Sequence, residues 1–178
     1  MSLTPARRNL LLASAALAAV GAGAALSWRR LAPVPPADDA AAQFYSLTLN
    51  DADGQPIVLK QFAGAHTVVN FWATWCAPCV EEMPEFDRVA QSVAASGIRF
   101  VGIAIDSPSN MREFREKVQV SYPLVSAGFG GAELAKALGN ATGGLPFTVL
   151  LSRSGEVLQR KLGRLKEEEL RAWLTSLR

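Results

Sequence analysis

Two cysteines, Cys76 and Cys79, stand three residues apart where an apolar, β-branched run (Thr67–Trp72) gives way to a helical pattern. No other feature constrains the chain as much. The run is bounded by Gly64 and Cys76, and it reads as a buried central strand. From Cys79 to Ala95 the residues Val80, Met83, Phe86, Val89, Ala90 and Val93 recur at helical spacing, and Gly97 stops them. Residues three apart on a helix share a face, so the two sulfurs can meet. The N–H groups at a helix start favour negative charge, which stabilises a Cys76 thiolate. Pro78 suits the first turn, where a missing N–H costs nothing. A low thiol pKa makes Cys76 the attacking nucleophile and a good leaving group, and Cys79, lying deeper, would resolve a mixed disulfide. A purely structural bridge closing so short a loop would remove little chain entropy. A metal site would need two further ligands, and His66 is the only histidine. Redox exchange is therefore favoured over a thiolate metal-binding or chaperone module.

The rest of the chain alternates strands and helices. Phe44–Leu49 alternates apolar and polar residues as a half-buried strand does. Asp51-Ala52-Asp53-Gly54 is a turn, and Ile57-Val58-Leu59 begins a second short strand. Ile98–Ile105 is another buried strand, and Ser109–Val118 an amphipathic helix with Ser109 or Asn110 as its N-cap. Tyr122–Val125, Phe147–Leu151 and Val157–Lys161 are strands, with a turn at Ser154-Gly155. Ala132–Leu138 is a short helix and Lys166–Leu177 the closing one. The pattern predicts an α/β sandwich with parallel central strands and a hairpin at the end. Trp72 belongs in the core and Trp75 on an exposed contact surface. His66, far from the cysteines in sequence, is expected at the surface.

At 178 residues the chain has room for one domain and an appendage. Apolar residues make up 49% and charged ones 19%, which excludes a wholly disordered or fibrous protein. Arg7, Arg8, Arg29 and Arg30 carry the excess positive charge, and without them 14 basic face 16 acidic residues. Nothing in that balance points to nucleic acid. Asn9–Trp28 has no charge, and 20 helical residues span roughly 30 Å, about one bilayer core. Residues 1–30 therefore read as an uncleaved membrane anchor or as a signal cleaved near Ala22-Gly23-Ala24. Either places the domain outside the cytoplasm. Residues 31–42, with Pro33, Pro35 and Pro36, read as an extended spacer, leaving the domain to residues 43–178.

Asn70-Phe71-Trp72-Ala73-Thr74-Trp75-Cys76-Ala77-Pro78-Cys79 is similar to the active-site stretch of thioredoxin-like proteins. It most resembles that of the membrane-tethered, exported thiol–disulfide oxidoreductases related to TlpA and ResA. Gly144-Leu145-Pro146-Phe147-Thr148-Val149-Leu150-Leu151 resembles the second signature of that group. The resemblance implies a thioredoxin fold: a central mixed sheet flanked by helices, with an N-terminal β-hairpin extension and an inserted helix and strand at Ser109–Val125. It implies a cis bond before Pro146, beside the cysteines, with the Leu145 backbone free to pair with a substrate strand. It also implies that Glu82, three residues after Cys79, manages protons for the buried cysteine. Thioredoxins proper carry an aspartate where this chain has Asn70, which cannot titrate, and this favours Glu82 in that role. Trp75, Ala77, Pro78, Leu145 and Gly163 would line the substrate contact. The implied activity is a Cys76–Cys79 dithiol/disulfide cycle with no further cofactor and no metal. The implied partners are exported cysteine-containing proteins, apocytochrome c or copper-site proteins among them, and an inner-membrane thiol donor. The implied location is the periplasmic face of the inner membrane.

Overall fold

The computed structural model describes residues 37–177. The uncharged segment 9–28 and the start of the proline-containing spacer lie outside the described residues. Two expectations need correction at once. Helix α1 occupies Ala37–Ser46, where an extended spacer to Ala42 and a strand from Phe44 were expected. Ala40, Ala41 and Phe44 are all buried. Their spacing forms a helical stripe, which outweighs the short period-two pattern beginning at Phe44. The strand proper is β1, Thr48–Asp51, paired antiparallel with β2, Pro56–Val58, across the expected turn.

The remaining elements follow in order: β3 (Thr67–Trp72), α2 (Ala77–Val93), β4 (Arg99–Ala104), α3 (Pro108–Arg115), β5 (Leu124–Ser126), α4 (Gly130–Ala137), β6 (Phe147–Leu151), β7 (Val157–Leu162) and α5 (Glu167–Thr175). The N-cap of α3 is Ser107 rather than Ser109 or Asn110. Its hydroxyl accepts from the Asn110 N–H, and Pro108 takes the first helical position.

The seven strands among the described residues form one sheet in the order β2-β1-β5-β4-β3-β6-β7. β3, β4 and β5 run parallel, and β6 returns antiparallel beside β3. This is the thioredoxin fold with a hairpin extension and an inserted helix and strand. Every residue of β3 is buried, because helices cover both faces. On one face Val69, Phe71, Phe147 and Val149 pack with Phe44, Leu59, Leu134 and Leu138. On the other, α2 seals two apolar groups, with α5 over the first and α3 over the second. The first gathers Val68, Phe86, Val89, Leu150, Leu165 and Leu170. The second gathers Trp72, Cys76, Cys79, Met83, Met111 and Phe114. Asn70 lies between Val68 and Trp72 in β3, on the strand face that alternation assigns to these two groups. Gly155, at φ +94°, turns β6 into β7 against α1, where a Cβ would meet Ala41 and Tyr45.

Candidate active site

Strand β3 delivers the chain to the edge formed by the C-terminal ends of the parallel strands, and α2 begins there. Cys76 is the N-cap of α2, and its carbonyl accepts from the N–H groups of Cys79 and Val80 at 3.0 and 3.1 Å. Its sulfur therefore sits at the positive end of a 17-residue helix. Cys76 and Cys79 form a disulfide with Cα atoms 5.3 Å apart. Cys76 is 6% exposed and Cys79 fully buried, so Cys76 is the sulfur that a partner can reach. Trp75 is 69% exposed beside it, and Ala77 and Pro78 are exposed too. Trp72 is fully buried. Pro84 lies inside α2, where it removes one backbone hydrogen bond.

β6 starts opposite the end of β3, with Phe147 paired to Phe71. Pro146 thus lies at the same edge as the cysteines, and the Leu145–Pro146 bond is cis. Leu145 packs against the cluster that holds both cysteines. Its backbone N–H and carbonyl make no hydrogen bond within the described residues. The loop before it is held by Asn140, which donates to the Gly144 carbonyl and accepts from the Gly143 N–H. Gly163 donates its N–H to the Pro146 carbonyl at 2.8 Å. It has φ +86°, and the space where a Cβ would stand is open.

Glu82 is completely buried one helical turn beyond Cys79. Its Oε1 accepts from Asn70 Nδ2 at 2.8 Å, and its Oε2 from the Leu165 N–H at 2.9 Å. Asn70 also donates to Thr148 Oγ1 at 3.1 Å, across the β3–β6 register. Burial pushes the Glu82 carboxyl up to about 7; the Leu165 N–H, the Asn70 amide and the charge of Arg164 oppose this, and Glu85 adds to it. Glu81 and Glu85 do something simpler, since both pair with Arg164 at 2.8 Å. Three consecutive residues thus hold three parts of the site: Gly163 the Pro146 carbonyl, Arg164 the outer glutamates, and Leu165 the buried one.

Sequence reasoning missed Asp106. It follows β4 and is 9% exposed. It accepts from the N–H and hydroxyl of Thr74, the N–H of Ser107 and the amide of Asn110, at 2.5 to 3.0 Å. Burial pushes its carboxyl up, but these donors outweigh burial and hold it below the usual carboxylate range. It ties the loop leading to Cys76 to the inserted helix α3. An aspartate ending an apolar strand run beside Ser107-Pro108 was the available signal. His66 is half-buried at the start of β3, the opposite end of that strand from the cysteines.

A surface-reachable cysteine at a helix start, bonded to a buried one beside a buried acid on a thioredoxin fold, defines a thiol–disulfide oxidoreductase. Residues 36–174 match the Redoxin family. The chain belongs to that family, in its TlpA/ResA-like group. It is 28% identical over 133 residues to the thiol-disulfide oxidoreductase ResA of Bacillus thuringiensis subsp. konkukian, covering 74% of this chain and 75% of that protein. A thioredoxin-related protein from Neisseria meningitidis serogroup B has a similar structure. It gives a TM-score of 0.65 at 32% identity, over 72% of this chain and 96% of that one. A thiol-disulfide oxidoreductase from Bacteroides fragilis gives 0.62 at 26% identity, over 74% and 96%.

Proposed function

We propose that this oxidoreductase is exported, held at the periplasmic face of the inner membrane by residues 9–28, and reduces disulfides in other exported proteins. The observation that carries the reading is the pairing of a reachable Cys76 with a buried Cys79 one turn from Glu82. In the reductive direction the Cys76 thiolate attacks a substrate disulfide. A Cys76–substrate bond forms, and the first substrate sulfur leaves as thiolate. Glu82 takes the proton of Cys79, whose sulfur attacks that of Cys76 and expels the second substrate thiolate. The substrate gains two electrons and the pair becomes the disulfide, which a membrane thiol donor then reduces. No cofactor beyond the cysteines enters. Leu145, with its backbone unpaired, offers a substrate segment two hydrogen bonds as an added strand. Trp75, Ala77, Pro78 and the open side of Gly163 form the rest of that contact. The resemblance to the TlpA/ResA-like group points to apocytochrome c or copper-site proteins as substrates.

The test is the midpoint potential of the cysteine pair, titrated on the full chain in detergent with Trp75 fluorescence as the readout. A value near about −270 mV, that of thioredoxin, supports a reductase, whereas one near about −120 mV makes the protein an oxidant of secreted thiols. Loss of any two-electron transition would move a thiolate metal-binding module to the front. Cys79→Ser is expected to trap substrates as mixed disulfides through Cys76, and recovery of none would count against exchange.

A further inference from the structure

Asn70 gives Glu82 a donor and leaves its own carbonyl bare. Its Nδ2 serves both Glu82 Oε1 and Thr148 Oγ1, while Oδ1 is buried without a partner. That arrangement suits ionised Glu82, whose Oε1 accepts. The acid form has an O–H to place. Oε2 already accepts from the backbone N–H of Leu165, a donor that cannot reverse. The carbonyl oxygen of a carboxylic acid is its better acceptor, so the acid keeps Oε2 as carbonyl for the Leu165 N–H and places its proton on Oε1, which faces an amide nitrogen with no capacity to accept. An amide oxygen and nitrogen are nearly the same shape, so half a turn of the Asn70 side-chain amide exchanges them without moving other heavy atoms. The Thr148 hydroxyl both donates and accepts, so it serves either orientation.

We infer that Asn70 is a positioning residue for the Glu82 proton: its amide reverses as Glu82 gains and loses that proton, which resides on Oε1. One Asn70 group stays unpartnered in each orientation, the carbonyl beside ionised Glu82 and the NH2 beside the acid, so neither state satisfies the amide in full. Leucine at this position could serve neither form, and aspartate would add a second charge. The inference rests on the reading of Glu82 as the proton carrier. The other charged or titratable groups acting on Glu82 are Glu85 on α2, Arg164 before α5, and Tyr122 before β5. Burial raises the Tyr122 phenol, so it stays protonated throughout. Cys79 joins them only when reduced.

The experiment is NMR on the full oxidised chain in detergent micelles, with labelled glutamate carboxyls and asparagine amides. It runs from about pH 5 to about pH 9, some two units either side of the Glu82 value. Keeping the disulfide oxidised removes thiol titration. The Glu82 carboxyl signal is expected to titrate near neutrality. Contacts from the Asn70 amide protons to the Thr148 side chain are expected on the basic side and lost on the acid side, with the same midpoint. Glu82→Gln mimics the acid, with its amide nitrogen toward Asn70, and should hold the acid-side pattern at every pH. Contacts that persist through a normal Glu82 titration would make Asn70 a fixed donor and overturn the inference alone. Failure of Glu82 to titrate in this range would overturn the proton-carrier reading and the inference with it.

Discussion

Asp106 collects hydrogen bonds from four donors, and Glu82, more deeply buried, collects two. Both carboxylates lie behind the loop that presents Cys76, yet one is held below the ordinary carboxylate range and the other is lifted to about 7. Burial penalises the charged form of each, more heavily for Glu82; four donors outweigh it at Asp106, and two do not at Glu82. Asp106 thus stays charged at neutral pH and braces the redox loop, whereas Glu82 can change charge there.

The largest expected effect separates the two by rate. If Glu82 has the role proposed for it, Glu82→Gln removes the proton acceptor for Cys79, and resolution of a mixed disulfide should slow by about 10²–10⁴-fold. Stopped-flow tryptophan fluorescence reads this directly, and an unchanged rate would erase the distinction between a bracing and a working carboxylate. The same variant sharpens the contrast in stability. The folded value of about 7 lies above the ordinary 4.5. Glu82 therefore contributes stability that is complete below about pH 4.5 and lost as pH rises through about 7, a loss of about 3 kcal/mol. Glu82→Gln should accordingly unfold at higher denaturant than the parent protein above pH 8, and equal midpoints there would show that burial is not what lifts the carboxyl.

Asp106 has the opposite sign. Its depressed value gives stability that is present above the ordinary carboxylate range and lost as pH falls through the folded value. Asp106→Ala leaves Thr74, Ser107 and Asn110 without their acceptor and should cost about 1–3 kcal/mol at neutral pH. The difference from the parent should shrink in acid, which urea unfolding at two pH values tests. The smallest effect belongs to Arg164, which pairs with an exposed Glu81 and a half-buried Glu85. Arg164→Ala should change stability by under about 1 kcal/mol. Because Arg164 pulls the Glu82 value down, the pH midpoint of exchange should rise; a fall would mean that its charge does not reach Glu82.

The sequence makes one of these carboxylates visible and hides the other. Glu82 stands at fixed spacing from a cysteine pair on a helix, and local periodicity puts it on the same face. Asp106 owes its part to Thr74, 32 residues away, a contact created only when β4 lies beside β3. Strands β3 and β6 and helix α2 were legible because their apolar runs are long or strongly periodic. Helix α1 was not, since its last residues run into Tyr45-Ser46-Leu47-Thr48-Leu49, which satisfies a two-residue alternation. Its burial against the far face of the sheet decides the matter. In the sequence Asn70 shows only that it cannot titrate. Its partners Thr148 and Leu165 arrive from a neighbouring strand and from a backbone N–H, and a backbone donor leaves no trace in side-chain identity.

Gly163, Arg164 and Leu165 make their three attachments in consecutive positions, so the spacing between the proline loop and the buried acid is set by a single register. The segment leaves no slack for length variation. One residue inserted after Gly163 would put Leu165 and Arg164 out of step with α2 while Gly163 kept its hold on Pro146.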